Sequence, residues 1–397
     1  MQRTSRVLAL VGGLCAAAAG LVGGLGGIAV ALTSAPEDRL IPLVMAAAIG
    51  LLGVGLGGAL AWQAARSMSG RASSPWRPRR TWVCVALVAG AILVGHWSLG
   101  HPPVDLILLP GAHVAATALP PAIMLTMAVR SLDADVSRRH LLAQVSSGAF
   151  LSSFLAATAE MLLIIVLTLA AVLIVAALPG GSERLENLAG LDTSALLQDP
   201  ARLAEMARSP WLWATALIVA SVAIPVIEEM LKGVGISLML YRRPGRGEVY
   251  LWGLAGGAGF SMMESALNSL LGLQNWAVAV LMRIPTSLMH CFTGALMGLA
   301  WHAAFVERRW KRGLGLLCVC VSLHGAWNAL AISSGLLSLA EPPALPAGGA
   351  TLGAGLGAAL LLALAAGVAV AFIAVTRRMR SNGSPAEVDD LPSARQR

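Results

Sequence analysis

Charge is what this sequence has least of. Only 12 % of its 397 residues are Asp, Glu, Lys or Arg, against about 25 % in a typical soluble domain. By contrast 57 % are hydrophobic and the mean hydropathy is +0.76, which excludes a soluble globular protein. Ten bilayer spans of roughly 22 residues would take up about 220 residues, a share that matches the apolar fraction, so no large soluble domain is left over. Cysteine is scarce too: Cys15, Cys84, Cys291, Cys318 and Cys320 all fall in apolar runs, where they behave as small buried hydrophobes, so no disulfide framework is implied. Cys318 and Cys320 lack two further ligands at zinc-site spacing. Lysine nearly vanishes, with two against 26 arginines; with abundant Ala and Gly this points to a GC-rich bacterial genome. No H-E-x-x-H helix is present, and the Gly-rich run at 253–260 (GLAGGAGF) has no strand–turn–helix context, which excludes a dinucleotide fingerprint.

What is there is a series of long apolar runs. Candidate spans lie at about 7–32, 40–65, 81–99, 104–129, 145–178, 210–241, 249–271, 278–306, 314–338 and 349–376. The first is too long for the apolar region of a signal peptide and reads as a retained span. The net charge of +8 does not point to nucleic acid, because the basic residues sit in short clusters between apolar runs rather than on a solvated face. They report topology instead. With the N-terminus cytoplasmic, 22 of the 28 basic residues fall on inside segments, four fall outside, and Lys232 and Arg283 lie within spans. The positive-inside rule then places both termini in the cytoplasm.

The expected fold is therefore all-α: a polytopic transmembrane helical bundle of about ten spans. Residues 1–140 read as a four-span N-terminal scaffold, 141–345 as a core whose motif helices occupy 210–338, 346–380 as a last span, and 381–397 as a disordered cytoplasmic tail. The segment 138–160 is only moderately apolar and is expected to lie partly in the interface. The connection at about 179–209, with Glu183, Glu186, Asp192, Asp199 and Glu205, reads as a polar loop with a short amphipathic helix near 199–208.

Ionisable groups inside the hydrocarbon are costly, at roughly 2.5–3.5 kcal/mol each at mid-span, and are normally kept for function. Here they are Glu160, Glu228, Glu229, Lys232, Glu264, Arg283, His290 and His324. His96, His113 and His302 read as structural. At about 1.5 Å per residue, Glu229, Glu264, His290 and His324 lie about 15–24 Å from the cytoplasmic ends of four consecutive helices, which places them in one middle slab. Spacing of i, i+4 stacks Lys232 on Glu228 and turns Glu229 about 100° away, while Pro225 frees a backbone carbonyl one turn earlier. His324 and Asn328 share a face and combine a titratable group with an amide donor, which suits a developing oxyanion. Paired carboxylates beside an imidazole activate water directly or hold a metal that does so; the bland alternative is a polar cluster that only holds helices together.

At these residues the sequence resembles the PrsW-type intramembrane proteases, relatives of the CAAX-processing and bacteriocin-processing enzymes. The pattern reads Glu228-Glu229-Met230-Leu231-Lys232, then Phe260-Ser261-Met262-Met263-Glu264, then His290 in RIPTSLMH, then His324 to Asn328 in HGAWN. Glu264 replaces the His of the CAAX-type second motif, which favours the PrsW side. The resemblance implies a metallo- or glutamic-type endopeptidase of the bacterial cytoplasmic membrane. Its site would comprise Glu228, Glu229, Glu264, His290, His324 and Asn328, with Lys232 and Phe260 in support. Glu228 or Glu229 would polarise the attacking water, and Glu264 and His290 would assist or ligate a metal. His324 and Asn328 would support the oxyanion. His290, His324 and Glu264 would be the ligands of any divalent metal such as zinc. The implied partners are the bilayer and a membrane-anchored protein substrate, such as an anti-sigma-factor-like regulator, with no nucleic acid. The alternative class is a proton- or cation-coupled secondary transporter using the same cluster; against it, spans one to four carry no counterpart of the charged residues, so no inverted repeat is visible. A membrane scaffold that binds peptide without cutting it is the third reading.

Overall fold

The computed structural model describes residues 3–76, 81–132, 136–190, 199–340 and 349–381. Among these residues the chain is helical throughout, with a single isolated bridge, Pro75 to Ser137, and no β-strand. Among the described residues, nine helices are long and apolar enough to cross a membrane. They are α1 (Thr4–Thr33), α2 (Pro36–Met68), α3 (Thr81–Ser98), α4 (Val104–Leu132), α5 (Arg138–Ala177), α8 (Pro210–Ser237), α10 (Gly272–Val306), α11 (Trp310–Leu339) and α12 (Gly355–Arg380). Between α5 and α8 lie two short helices, α6 (Gly181–Ala189) and α7 (Pro200–Ala207). The second is the short helix expected in the polar connection, and Asp199 caps it by accepting from the amides of Ala201 and Arg202. Asp192 and the tail beyond Ser381 lie outside the described residues.

The tenth expected span is present as α9 (Arg246–Asn268), but its mean hydropathy falls short of a lipid-facing helix. The reason is its position. Every residue from Val249 to Met263 is buried, so α9 is solvated by protein rather than by lipid and can carry Gly, Ser and Glu. It packs against α2, α4, α5, α8, α10 and α12. The Gly-rich run that is no dinucleotide fingerprint is the surface of this packing. A Cβ on Gly257 would lie 2.2 Å from the carbonyl oxygen of His290 in α10, and one on Gly259 would lie 1.9 Å from that of Val145 in α5. Only glycine allows backbones this close.

Two helices depart from the sequence reading. α5 is one 40-residue helix, with a π turn at Ser147–Ser152, and its first part is enclosed by protein: Arg139, His140, Leu141, Gln144, Val145 and Ser146 are all buried. Contact with α9 supplies the environment that the modest hydropathy of 138–160 could not. Beyond the π turn the relation inverts, and Ala156 is the only buried residue between Ser153 and Ala177. α8 also carries a π turn, at Val219–Ala223, directly before Pro225. His113 in α4 is structural, as expected: Nε2 donates to the carbonyl of Ala266 at 2.8 Å, and Nδ1 accepts from Trp276 Nε1 at 2.9 Å.

Candidate active site

The site is built by α8 to α11, with α9 and α10 held together by the glycine contacts just described. α8 contributes Glu228, Glu229 and Lys232, all buried. The helix reaches them through its π turn, and Pro225 cannot donate to the Ala220 carbonyl five residues back. Asn328 of α11 fills that place, its Nδ2 donating to Ala220 O at 2.8 Å. Three residues away, Gly325 lies so close that a Cβ there would sit 2.2 Å from Ser221 O. Asn328 and Gly325 therefore seat α11 on the interrupted turn of α8 and bring His324 to the carboxylates one turn further on. The amide that the sequence offers to an oxyanion is engaged by this backbone carbonyl, outside the Glu/His cluster.

Glu229 is the hub. It is 0 % exposed, and its Oε1 accepts from Lys232 Nζ at 2.5 Å, His324 Nδ1 at 2.9 Å and Thr293 Oγ1 at 3.1 Å. Lys232 makes the i, i+4 ion pair with Glu228 that helix geometry suggested, at 3.8 Å, and a closer i, i+3 pair with Glu229. The two spacings are both allowed on a helix, and the donors that converge from α10 and α11 select the second carboxylate. Thr293 was not singled out from the sequence. The signal was its place three residues after His290 on the same face of α10.

The second chain of contacts runs through His290. Its Nδ1 lies 2.7 Å from Lys232 Nζ and its Nε2 lies 2.6 Å from Glu264 Oε2. Glu264 Oε1 accepts from Arg283 Nη1 and from Asn268 Nδ2, each at 3.1 Å. Phe260 lies beneath Lys232, with Nζ 4.8 Å from the ring centroid, a cation–π contact. The rings of His290 and His324 meet edge to face at 4.9 Å.

Glu228 lies beside this hub. It is buried, and its Oε2, like that of Glu229, has no hydrogen-bond partner; the nearest nitrogen across the helix interface is His324 Nε2 at 3.7 Å. Because His324 Nδ1 donates to the Glu229 carboxylate, Nε2 presents a lone pair toward Glu228. Donor atoms of Glu228, His290 and His324 lie within 4.8 Å of one another, a set of one carboxylate and two imidazoles that suits a catalytic divalent cation with a position left open. A carboxylate oxygen left unpaired in a dry interior is costly, and an ion would satisfy it, so the residues fit such a group. The expected carboxylate ligand, Glu264, is replaced in this set by Glu228; Glu264 faces His290 from outside it, held by Arg283 and Asn268. Glu229 on His324 Nδ1 supplies the carboxylate–histidine support that metal-binding imidazoles usually have.

No curated protein and no solved structure matches the chain. Residues 188–347, which contain α8 to α11 and all of the Glu/His motif residues, match the model of the PrsW family intramembrane metalloprotease, so the resemblance carried by those motifs is borne out.

Proposed function

We propose that this protein is an intramembrane endopeptidase of the bacterial cytoplasmic membrane, with both termini inside, that hydrolyses a peptide bond in a membrane-anchored protein. The observation that carries the reading is the meeting of Glu228, His290 and His324 from three helices, with donor atoms within 4.8 Å of one another, at a Glu228 Oε2 that is buried without a hydrogen-bond partner. A cluster serving only to tie helices together would satisfy its buried oxygens, since buried polar groups are ordinarily paired, whereas Glu228 and Glu229 each leave Oε2 without a partner. A free carboxylate oxygen facing an imidazole lone pair is a place for a reactant.

In this reading Glu228, His290 and His324 hold a divalent cation, such as zinc, which when bound lowers the pKa of water and polarises a carbonyl as a Lewis acid. Glu229 fixes the tautomer and orientation of His324 through Nδ1 and balances Lys232. Lys232 spends two of its three N–H groups on Glu229 and His290, which leaves one for the developing oxyanion, a buried donor in a low-dielectric site. Glu264 takes the proton of the attacking water. Its Oε2 lies 2.6 Å from His290 Nε2, which sets that oxygen at the border of the Glu/His group, within reach of a water held there. The same carboxyl group then returns the proton to the leaving nitrogen. Substrate is a single-span membrane protein of the kind an anti-sigma-like regulator represents.

The test is cleavage of a panel of single-span substrates by purified protein in detergent, with and without chelator, beside direct measurement of bound metal. The expected result is chelator-sensitive cleavage and about one ion per chain, lost in Glu228→Gln, His290→Ala and His324→Ala. Glu264→Gln retains the metal but loses cleavage by 10²- to 10⁴-fold, as for a general base. Cleavage that survives chelation with no bound metal would replace this chemistry with a glutamate-only mechanism. Flux of protons in liposomes without any cleavage would favour the transporter.

A further inference from the structure

One intramembrane carboxylate belongs to none of the four motif helices. Glu160 lies on α5, beyond the π turn, where that helix is otherwise exposed. Ser152, Ala156 and Glu160 follow one another at four-residue spacing and form its single inward face. α5 packs here against the Ile224–Lys232 segment of α8, so Glu160 is carried to the edge of the cluster. It lies within Coulombic reach of Glu228, Glu264 and Lys232. Its Oε1 is shielded from solvent and has no hydrogen-bond partner.

The cations of the site are already committed. Lys232 is bound to Glu229 and His290, and Arg283 to Glu264, so no ion pair within 4 Å forms at Glu160 among the described residues. The polar cluster is also not fully sealed. The side chains of Glu264 and Arg283 keep 19 % and 18 % exposure, while Glu229 and Lys232 are at 0 %. A carboxylate without a counter-ion, at the partly open margin of a buried site and next to two more carboxylates, is a receptor for a positive charge. We infer that Glu160 is a specificity-determining residue that receives a lysine or arginine side chain of the substrate segment beside the scissile bond. The inference rests on the peptidase reading for its biological meaning, but the binding it describes can be measured without catalysis. A cation within the hydrocarbon is itself costly, so a substrate that carries one gains a partner at Glu160, and an uncharged segment gains nothing from it.

Binding of two single-span peptides, identical except for a mid-span lysine or norleucine, is measured to the full chain in nanodiscs by fluorescence anisotropy. A Glu228→Gln background prevents cutting, and retained folding is verified by thermal unfolding. The lysine peptide is expected to bind about tenfold or more tightly, the range of close charge pairs at interfaces. Adding Glu160→Gln should bring the ratio to within about twofold, while Glu160→Asp should keep a preference for lysine. Glu160→Lys should reverse the preference toward a glutamate peptide. No lysine preference, or a preference that Glu160→Gln leaves unchanged, overturns the inference. A parallel cleavage arm with Glu228 intact keeps the two readings apart. A chain that prefers lysine through Glu160 yet cuts neither peptide refutes the peptidase and leaves the subsite standing. A chain that cuts both peptides equally, with and without Glu160→Gln, refutes the subsite alone.

Discussion

Substituting the two adjacent glutamates by glutamine should give opposite signatures, although the changes are chemically identical. Glu229→Gln removes the negative charge from a fully buried oxygen that accepts from Lys232, His324 and Thr293. The Lys232 ammonium, with 0 % side-chain exposure, is then left with no carboxylate nearer than Glu228 at 3.8 Å. Breaking a buried pair by removing one partner costs about 3–5 kcal/mol, and the His324 hydrogen bond, charge-assisted in the parent, is weakened as well. Glu228→Gln removes a carboxylate whose Oε2 has no hydrogen bond, so stability should change by no more than about 1 kcal/mol, while cleavage disappears. The assay is unfolding of each variant in mixed micelles by denaturant titration, read beside cleavage of the same preparation. A double change, Glu229→Gln with Lys232→Met, should recover much of the lost stability, since replacing a whole buried ion pair by apolar groups is often neutral, and should recover no activity. The reasoning fails if Glu228→Gln unfolds the protein as readily as Glu229→Gln, or if Glu229→Gln leaves stability untouched.

Gly257→Ala would place a Cβ 2.2 Å from the carbonyl oxygen of His290; backbone cannot yield as a side chain does, so α9 and α10 should separate, at a cost of about 1–3 kcal/mol, with cleavage falling as His290 shifts. Asn328→Ala should destabilise by about 1–3 kcal/mol, because Ala220 O loses its donor; lost activity with unchanged unfolding would return Asn328 to the oxyanion role. At the end of α10, the hydrogen bond from Arg246 at 2.6 Å holds the Glu307 carboxyl below the ordinary carboxylate range. A depressed folded pKa adds stability that is present above the unfolded value of about 4.3 and fades as pH falls through the folded one. Acidification below about pH 4 should therefore lower the melting temperature of the parent more than that of Glu307→Gln, and equal losses would refute the contribution.

Much of this molecule was determined by sequence alone, because the bilayer makes composition decisive. Apolar runs of the right length must become helices, which satisfy their own backbone groups where no water can, and that gave the all-α bundle and the location of the long helices. The same solvent makes buried charge conspicuous, so Glu228, Glu229, Lys232, Glu264, Arg283, His290 and His324 could be picked out one by one. Depth along each helix placed them in one layer. The partner of each was another matter. Helix periodicity gives which residues of a single helix share a face, but not which neighbouring helix supplies the donors. Lys232 had two carboxylates within reach, at i−3 and i−4, and Thr293 and His324, arriving from α10 and α11, decided for Glu229. Asn328, whose spacing suits an oxyanion donor, gives an amide N–H to Ala220 O on the proline-interrupted turn of α8, a partner that only the packing of α11 on α8 decides. The tertiary structure likewise decided that α9 is surrounded by protein and so escapes the hydropathy of a lipid-facing span. It also brought Glu160, far away in sequence and outside every motif, close to the site's elements, because α5 packs against α8 beyond its π turn as well as before it.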